Sequence, residues 1–333
     1  MNKENTFNEN DIRPDKYSEI LKQATNTDIN FLYSRKNNFI EIPCPACGKT
    51  NTKIEFTKNG FNYIECAHCG MLYISPRPSI QILNEFYPQA ESYKVFDKYI
   101  FPSSQEVRRE KIFKPRVKKV LDFCEKYSIT KDKIIEIGTG YGTFCEEMVK
   151  TKNFKEVVGV ETSDSLAKTC SKLGFRLYNG LLEDLNIDEK FDVAVAFEVL
   201  EHIFNPEKFL QKIYSILNKN SFLLITFPAW SGFDNSILRE HARAIDHEHL
   251  NYFTEESITI LLSRIGFEVL EITTPGEMDV DIVRKEIIAN NVTVPKFIKT
   301  ICVDKFETQG KAFQEFLKQN KLSSHMMVAS IKK

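Results

Sequence analysis

The chain has 333 residues, of which 42% are hydrophobic and 27% charged, and its formal net charge is −1. That is the composition of a folded globular protein with one large domain or two modest ones, and near-neutrality excludes a global attraction to nucleic acid or anionic lipid. No apolar run approaches the ~20 residues of a bilayer span, and the N-terminal MNKENTFNENDIRPDKYSE lacks the apolar core of a signal peptide, so the expected location is cytoplasmic.

Residues 1–40 are polar with little periodicity and read as a loosely held leader with one helix. Residues 41–80 hold two cysteine pairs and close on SPRPS (75–79). Proline restricts both itself and the residue before it, so this stretch punctuates the chain. Residues 81–130 read as a helical connector, and Pro115 is expected to kink it or to begin a new segment. From 131 the pattern alternates. Strands are expected at 134–137, 157–161, 175–178, 192–197, 221–227 and 268–272, with helices at 142–151, 164–173, 206–217 and 255–265. Such alternation implies a parallel sheet covered on both faces. HMMVASIKK (325–333) is a last strand with no helix after it, placed to enter antiparallel beyond an insertion at 274–323. The expected fold is α/β: a Rossmann-like, doubly wound, seven-stranded sheet over 131–333, preceded by a small zinc ribbon.

Cys44 and Cys47 are followed, after 18 residues, by Cys66 and Cys69. Paired Cys-x-x-Cys units at this spacing fit a four-cysteine zinc site, and four thiolates leave no open position, so the metal is structural. His68 is left unligated. Between 44 and 78 the ribbon carries Lys49, Lys53, Lys58 and Arg77 against Glu55 and Glu65. With a net −2 on a tetrathiolate zinc the module is near neutral, which argues against a phosphate-tracking surface.

IEIGTGYG (135–142) reads as a strand running into a glycine turn. A dinucleotide fingerprint is G-x-G-x-x-G. Here Gly138, Gly140 and Gly142 are spaced G-x-G-x-G, after Glu136. A carboxylate at that point would repel a pyrophosphate and attract the ammonium of a methionine moiety. Glu161 ends the next strand, 21 residues after Gly140, where a carboxylate can accept ribose hydroxyls.

On these residues the chain resembles the class I S-adenosylmethionine (SAM)-dependent methyltransferases over about 134–273. The resemblance implies Glu136 and the three glycines at the methionine part of SAM, Glu161 on the ribose, and Glu183 in LLEDL at the adenine. It also implies that FDVAVAFEVLEH is the fourth strand, with Phe197 at its cofactor end. C-x-x-CG, C-x-x-CG and SPRPS ahead of such a domain are similar to a bacterial subset with an N-terminal zinc module, which includes C-methyltransferases of nucleotide-linked sugars. Those carry Tyr-x-Glu-His with the histidine as base; this chain reads Asp246-His247-Glu248-His249, without the tyrosine. The subset's long C-terminal domain is also missing.

Two groups compete for the chemistry. In DHEHLNYF (246–253), an extended chain would place His247 and His249 on one face and Glu248 on the other. His249 is the expected base, with Glu248 on a substrate hydroxyl. In Glu198-Val-Leu-Glu201-His202, a helical turn would bring two carboxylates and an imidazole to one face, resembling the metal-binding Glu-x-x-Glu-His of ubiquinone O-methyltransferases. Trp230, the only tryptophan, is expected either to stack on substrate or to anchor packing, and Asp279 and Asp281 form a weak Asp-x-Asp metal signal.

The leading expectation is a SAM-dependent enzyme with a small-molecule acceptor, a nucleotide-sugar or glycan precursor, and one structural zinc. The alternatives are an RNA methyltransferase guided by the ribbon, a metal-assisted O-methyltransferase using Glu198, Glu201 and His202, and a SAM-binding regulator without turnover. A NAD-dependent oxidoreductase ranks last, because the third glycine is out of place. Oligomeric state is not readable.

Overall fold

A computed structural model describes residues 7–333. Among the described residues, eleven strands fall into two sheets. The strands are β1 (Thr52–Lys58), β2 (Phe61–Cys66), β3 (Leu72–Ile74), β4 (Lys133–Ile137), β5 (Glu156–Glu161), β6 (Arg176–Asn179), β7 (Phe191–Phe197), β8 (Leu217–Pro228), β9 (Asn251–Tyr252), β10 (Phe267–Thr273) and β11 (His325–Lys332).

The larger sheet has the order β10-β11-β8-β7-β4-β5-β6. β4 to β8 run parallel, and β11 is antiparallel to both its neighbours. β7 is buried along its whole length, as a central parallel strand with helices on both faces must be. The turn from β4 and the ends of β5 and β7 therefore meet at the carboxyl edge, where open α/β sheets bind ligands.

The smaller sheet, β1-β2-β3-β9, joins the cysteine hairpins to a strand from far along the chain. Leu72 pairs with Tyr252 and Tyr73 with Asn251. Ala46, Cys44, Cys66 and Cys69 pack in the same apolar cluster as Ile137, Ala196 and Leu261 of the larger domain. Arg264 donates to the Ala46 carbonyl at 2.7 Å and Thr254 to the Cys69 carbonyl at 2.9 Å. Trp230 is the packing anchor between the two sheets: its indole N–H donates to Glu65 at 3.1 Å and its ring lies 6.0 Å from Phe56.

The segment expected as a loosely held leader is anchored. Residues 1–6 lie outside the described residues; beyond them, helix Ser18–Tyr33 buries Ala24, Asp28 and Leu32. The connector is an almost unbroken helical path from Glu91 to Lys126, with π-helical turns at Phe96–Ile100 and Arg109–Phe113. Pro102 and Pro115 each fall just after one of these widened turns, which absorb a ring that would otherwise strike the preceding turn. Helices Asp279–Asn290 and Lys311–Gln319 fill the insertion before β11. There Asp279 accepts from Ser323, Ser324 and Gln314, and Asp281 faces Lys285. The Asp-x-Asp pair is thus a helix-start anchor, not a metal site. Among the described residues, no helix is long and apolar enough to cross a membrane.

Candidate active site

The glycine turn is held from below and open above. Gly138 and Thr139 N–H donate to the Val160 carbonyl at 2.9 and 3.1 Å. Gly138, Gly140 and Gly142 have φ of 80°, 53° and 70°, left-handed conformations that favour glycine. A Cβ at Gly138 would lie 2.6 Å from Val199, whereas one at Gly140 would meet nothing within 4 Å. Gly140 thus faces the space a cofactor must enter.

Glu161 closes one wall of that space. One carboxylate oxygen accepts from Gly140 N–H and the other from Ser163 N–H, both at 2.8 Å. Each oxygen keeps a lone pair for a further donor. Losing a bidentate ribose contact costs on the order of 1–3 kcal/mol. Titration of S-adenosylhomocysteine should therefore show roughly a 5- to 150-fold weaker Kd for Glu161→Ala. An unchanged Kd would remove Glu161 from the cofactor site.

Glu136 sits on β4 beneath the turn, 2% exposed, and accepts from the Cys145 thiol at 3.1 Å. Burial raises it from its ordinary 4.5 to about 8. Between these two pH values the folded chain holds a proton that the unfolded chain releases, so the cofactor-free protein loses stability as pH rises from about 4.5 to 8. Glu136→Gln should flatten that slope in denaturant melts. An unaltered slope would mean that Glu136 is not the group responsible.

Glu183 lies half-buried in the turn after β6. Phe197 ends β7, but its ring packs edge-on against Phe144 at 5.0 Å and under the Arg116 guanidinium at 4.7 Å. Its side chain belongs to the core, and only its backbone is left for a ligand. Over the glycine turn lies the connector. The Tyr141 hydroxyl donates to the Asp97 carbonyl at 3.0 Å, and its ring contacts Phe101 at 5.2 Å.

The face expected of Glu198, Glu201 and His202 does not form. Glu198 has φ 55° and the helical turn begins only at Leu200, which rotates Glu198 away. Its carboxylate accepts from Arg116 at 2.9 Å, Thr226 at 2.5 Å and His325 at 2.8 Å. His249 takes its place: Glu201, His202 and His249 each bring one ligand-type atom to within 4.8 Å of the others. The two imidazoles meet edge to face, centroids 4.6 Å apart.

The extended reading of 246–250 is also corrected. The Asp246 carboxylate accepts from the N–H groups of Glu248 and His249 at 2.9 and 3.0 Å, which bends the chain. His247 and His249 therefore diverge, and only Asn251–Tyr252 continues as a strand. His249 Nδ1 lies 2.7 Å from the Ala244 carbonyl, and His202 Nδ1 lies 3.2 Å from the Glu248 carbonyl. A carbonyl only accepts, so each Nδ1 carries a hydrogen, and in the neutral ring Nε2 is the nitrogen with the lone pair. Burial, with help from His249, pushes His202 down to about 3, so it is neutral.

Arg77, passed over in SPRPS as punctuation, organises this corner. Fully buried, it donates to the carbonyls of Ile74, Phe204 and Leu250 and to the Asn251 side chain, at 3.0–3.2 Å. An arginine between two prolines was the available signal. Tyr87 and Tyr93, stacked 6.0 Å apart, form the opposite wall, with the Tyr87 hydroxyl 3.3 Å from the His202 carbonyl.

The four cysteine sulfurs lie within 4.8 Å of one another, with Cys44–Cys69 and Cys47–Cys66 each at 3.6 Å. Tetrahedral zinc with bonds of ~2.3 Å needs sulfurs about 3.8 Å apart, so the set fits such an ion.

Residues 108–272 match a family model described as a methyltransferase domain. An uncharacterised protein of Methanocaldococcus jannaschii is 26% identical over 57% of this chain and 89% of its own length. The carboxy-S-adenosyl-L-methionine synthase of Nautilia profundicola is 22% identical over 54% of this chain and 93% of its own. Among solved structures, the plantazolicin methyltransferase BpumL in complex with SAH superimposes with a TM-score of 0.48 at 15% identity, covering 74% of this chain and 92% of that one. The match marks residues 108–272 as a methyltransferase domain, and the acidic strand end, the G-x-G-x-G turn and the seven-stranded sheet are those of a Rossmann-like, SAM-dependent methyltransferase fold.

Proposed function

We propose that the protein transfers the SAM methyl group to a small-molecule acceptor, a nucleotide-linked sugar or another glycan precursor, with His249 taking the acceptor's proton. One observation carries this reading: His249 is fixed by the Ala244 carbonyl with Nε2 free, beside His202 in a half-buried corner at the carboxyl edge of the sheet. Methyl transfer is an in-line displacement. Its protein-side requirements are positioning and, for a hydroxyl or carbon acid, a base. The Glu248-His249 pair after a four-cysteine module supports the sugar-nucleotide class, through its similarity to the enzymes that share both. When bound, the cofactor supplies the electrophilic methyl; Glu161, Glu136 and the glycine turn would hold it, and His249 would hold the proton. The four cysteines would carry one structural zinc.

A metal-assisted reading keeps Glu201, because its Oε2 is buried without a hydrogen-bond partner, but loses Glu198 to its ion pairs. The deciding experiment supplies methyl-labelled SAM with a host metabolite extract, and separately with total RNA, then identifies the labelled product by mass. Label in a nucleotide-sugar is the expected result. Label in RNA alone would overturn the proposal.

A further inference from the structure

We propose that Asp28, His247 and Glu248 form a divalent-cation site, separate from the cysteine cluster and from the Glu201–His202–His249 corner. The three come from distant parts of the chain: Asp28 from helix Ser18–Tyr33, the other two from the bend after Asp246. Each offers one ligand atom within 4.8 Å of the others, and His247 Nε2 is 3.7 Å from Glu248 Oε1.

The decisive feature is His247. It is 2% exposed, and neither ring nitrogen has a hydrogen-bond partner. A buried imidazole must place one N–H and one lone pair, and leaving both unmet costs free energy that native structures rarely accept. Its ring stands edge-on to Phe86, centroids 6.0 Å apart, which supports the ring but satisfies neither nitrogen.

The carboxylates carry the same message. Asp28 is 2% exposed and Glu248 is largely buried. Among the described residues neither forms an ion pair with a lysine or arginine. Burying two neighbouring carboxyl groups without a cation disfavours their charged forms. Both are nevertheless oriented. The Asp28 oxygens accept from Glu91 and Ser92 N–H at 2.8 Å each, and Glu248 Oε1 accepts from the Ser92 hydroxyl at 2.6 Å. Hydrogen bonds that aim carboxylates while leaving lone pairs free are what metal ligands receive from their surroundings.

Two carboxylates and one imidazole, with no sulfur, suit Mn²⁺, Fe²⁺, Co²⁺ or Zn²⁺, and three protein ligands leave positions open for water or a substrate oxygen. The ion would tie the N-terminal helix to the segment that presents His249.

The test uses the full chain with its cysteines zinc-loaded, titrated with Mn²⁺ while free Mn²⁺ is followed by electron paramagnetic resonance. One Mn²⁺ should bind per chain. His247→Gln and Asp28→Asn should each weaken it by more than about tenfold, and Glu201→Gln should leave it in place. Should His247→Gln fail to fold, Glu248→Gln stands in for it. In the wild type, Mn²⁺ should also raise the Tm, and this rise should vanish with the ligand variants. A wild type that binds no Mn²⁺ overturns the proposal and leaves His247 to ordered water. Loss of binding in Glu201→Gln but not in His247→Gln also overturns it.

Discussion

His249→Asn should leave S-adenosylhomocysteine affinity intact and lower turnover by roughly 10²–10⁴-fold, the range of a lost general base. Asparagine can still donate to the Ala244 carbonyl, which His249 Nδ1 approaches at 2.7 Å, so the bend should survive. The side chain then presents no basic nitrogen. Gly140 and Glu161, the proposed cofactor contacts, are bonded to each other away from this bend, so binding and turnover should separate. His202→Asn is the control. His202 is held down to about 3 by burial, and so weak a base accepts a proton poorly in the transition state. Its loss should cost less, through disturbed packing against His249 at 4.6 Å. Normal turnover in His249→Asn with a dead His202→Asn would falsify the assignment.

The larger sheet was legible because its signals are local. β7 is apolar without interruption from Val193 to Phe197, β4 ends in a glycine turn, and helix Glu255–Ile265 begins at a Thr254 capping box and ends at Gly266. Those boundaries need nothing from the rest of the chain. The cysteine cluster was legible for the same reason, as its spacing is itself the signal.

The corner that holds His249 was not legible, because it is built from long-range contacts. Alternation suggested an extended 246–250, yet Asp246 bends it with two local hydrogen bonds, and β9 then pairs with β3, almost 180 residues earlier. Arg77 fastens both sides of that pairing. The failed Glu198 face has a single-residue cause: a left-handed φ at a glutamate is rarely expected, and here Arg116, Thr226 and His325 stabilise it. Asp28 lies in a stretch whose sequence says only that it is polar. Only the fold sets it beside His247 and Glu248.

That long-range pairing would make the proposed zinc matter for chemistry it does not touch. Stripping the metal, or Cys66→Ser, should abolish turnover while much of the S-adenosylhomocysteine affinity remains. Structural zinc contributes roughly 10–16 kcal/mol in small zinc modules, more than a ribbon of this size can replace by packing. Cys44, Cys66 and Cys69 are 1% exposed and share an apolar cluster with Tyr73 of β3. Without the ion, the buried sulfurs of Cys44, Cys66 and Cys69 and the half-buried sulfur of Cys47 face one another where β2 ends and the chain turns into β3. As β3 loosens, its pairs Leu72–Tyr252 and Tyr73–Asn251 go with it, and so does the Ile74 N–H to Leu250 carbonyl bond. His249 stands one residue before Leu250 and loses its orientation. The glycine turn and Glu161 belong to the other sheet and keep their own hydrogen bonds. Trp230 reports the event directly, because its indole is bonded to Glu65 in β2 and packed on Phe56 in β1. Its fluorescence should shift as elemental analysis falls from one cysteine-bound zinc per chain to none. A zinc-free protein with unshifted fluorescence and full turnover would show that the ribbon does not need the ion and does not hold His249 in place.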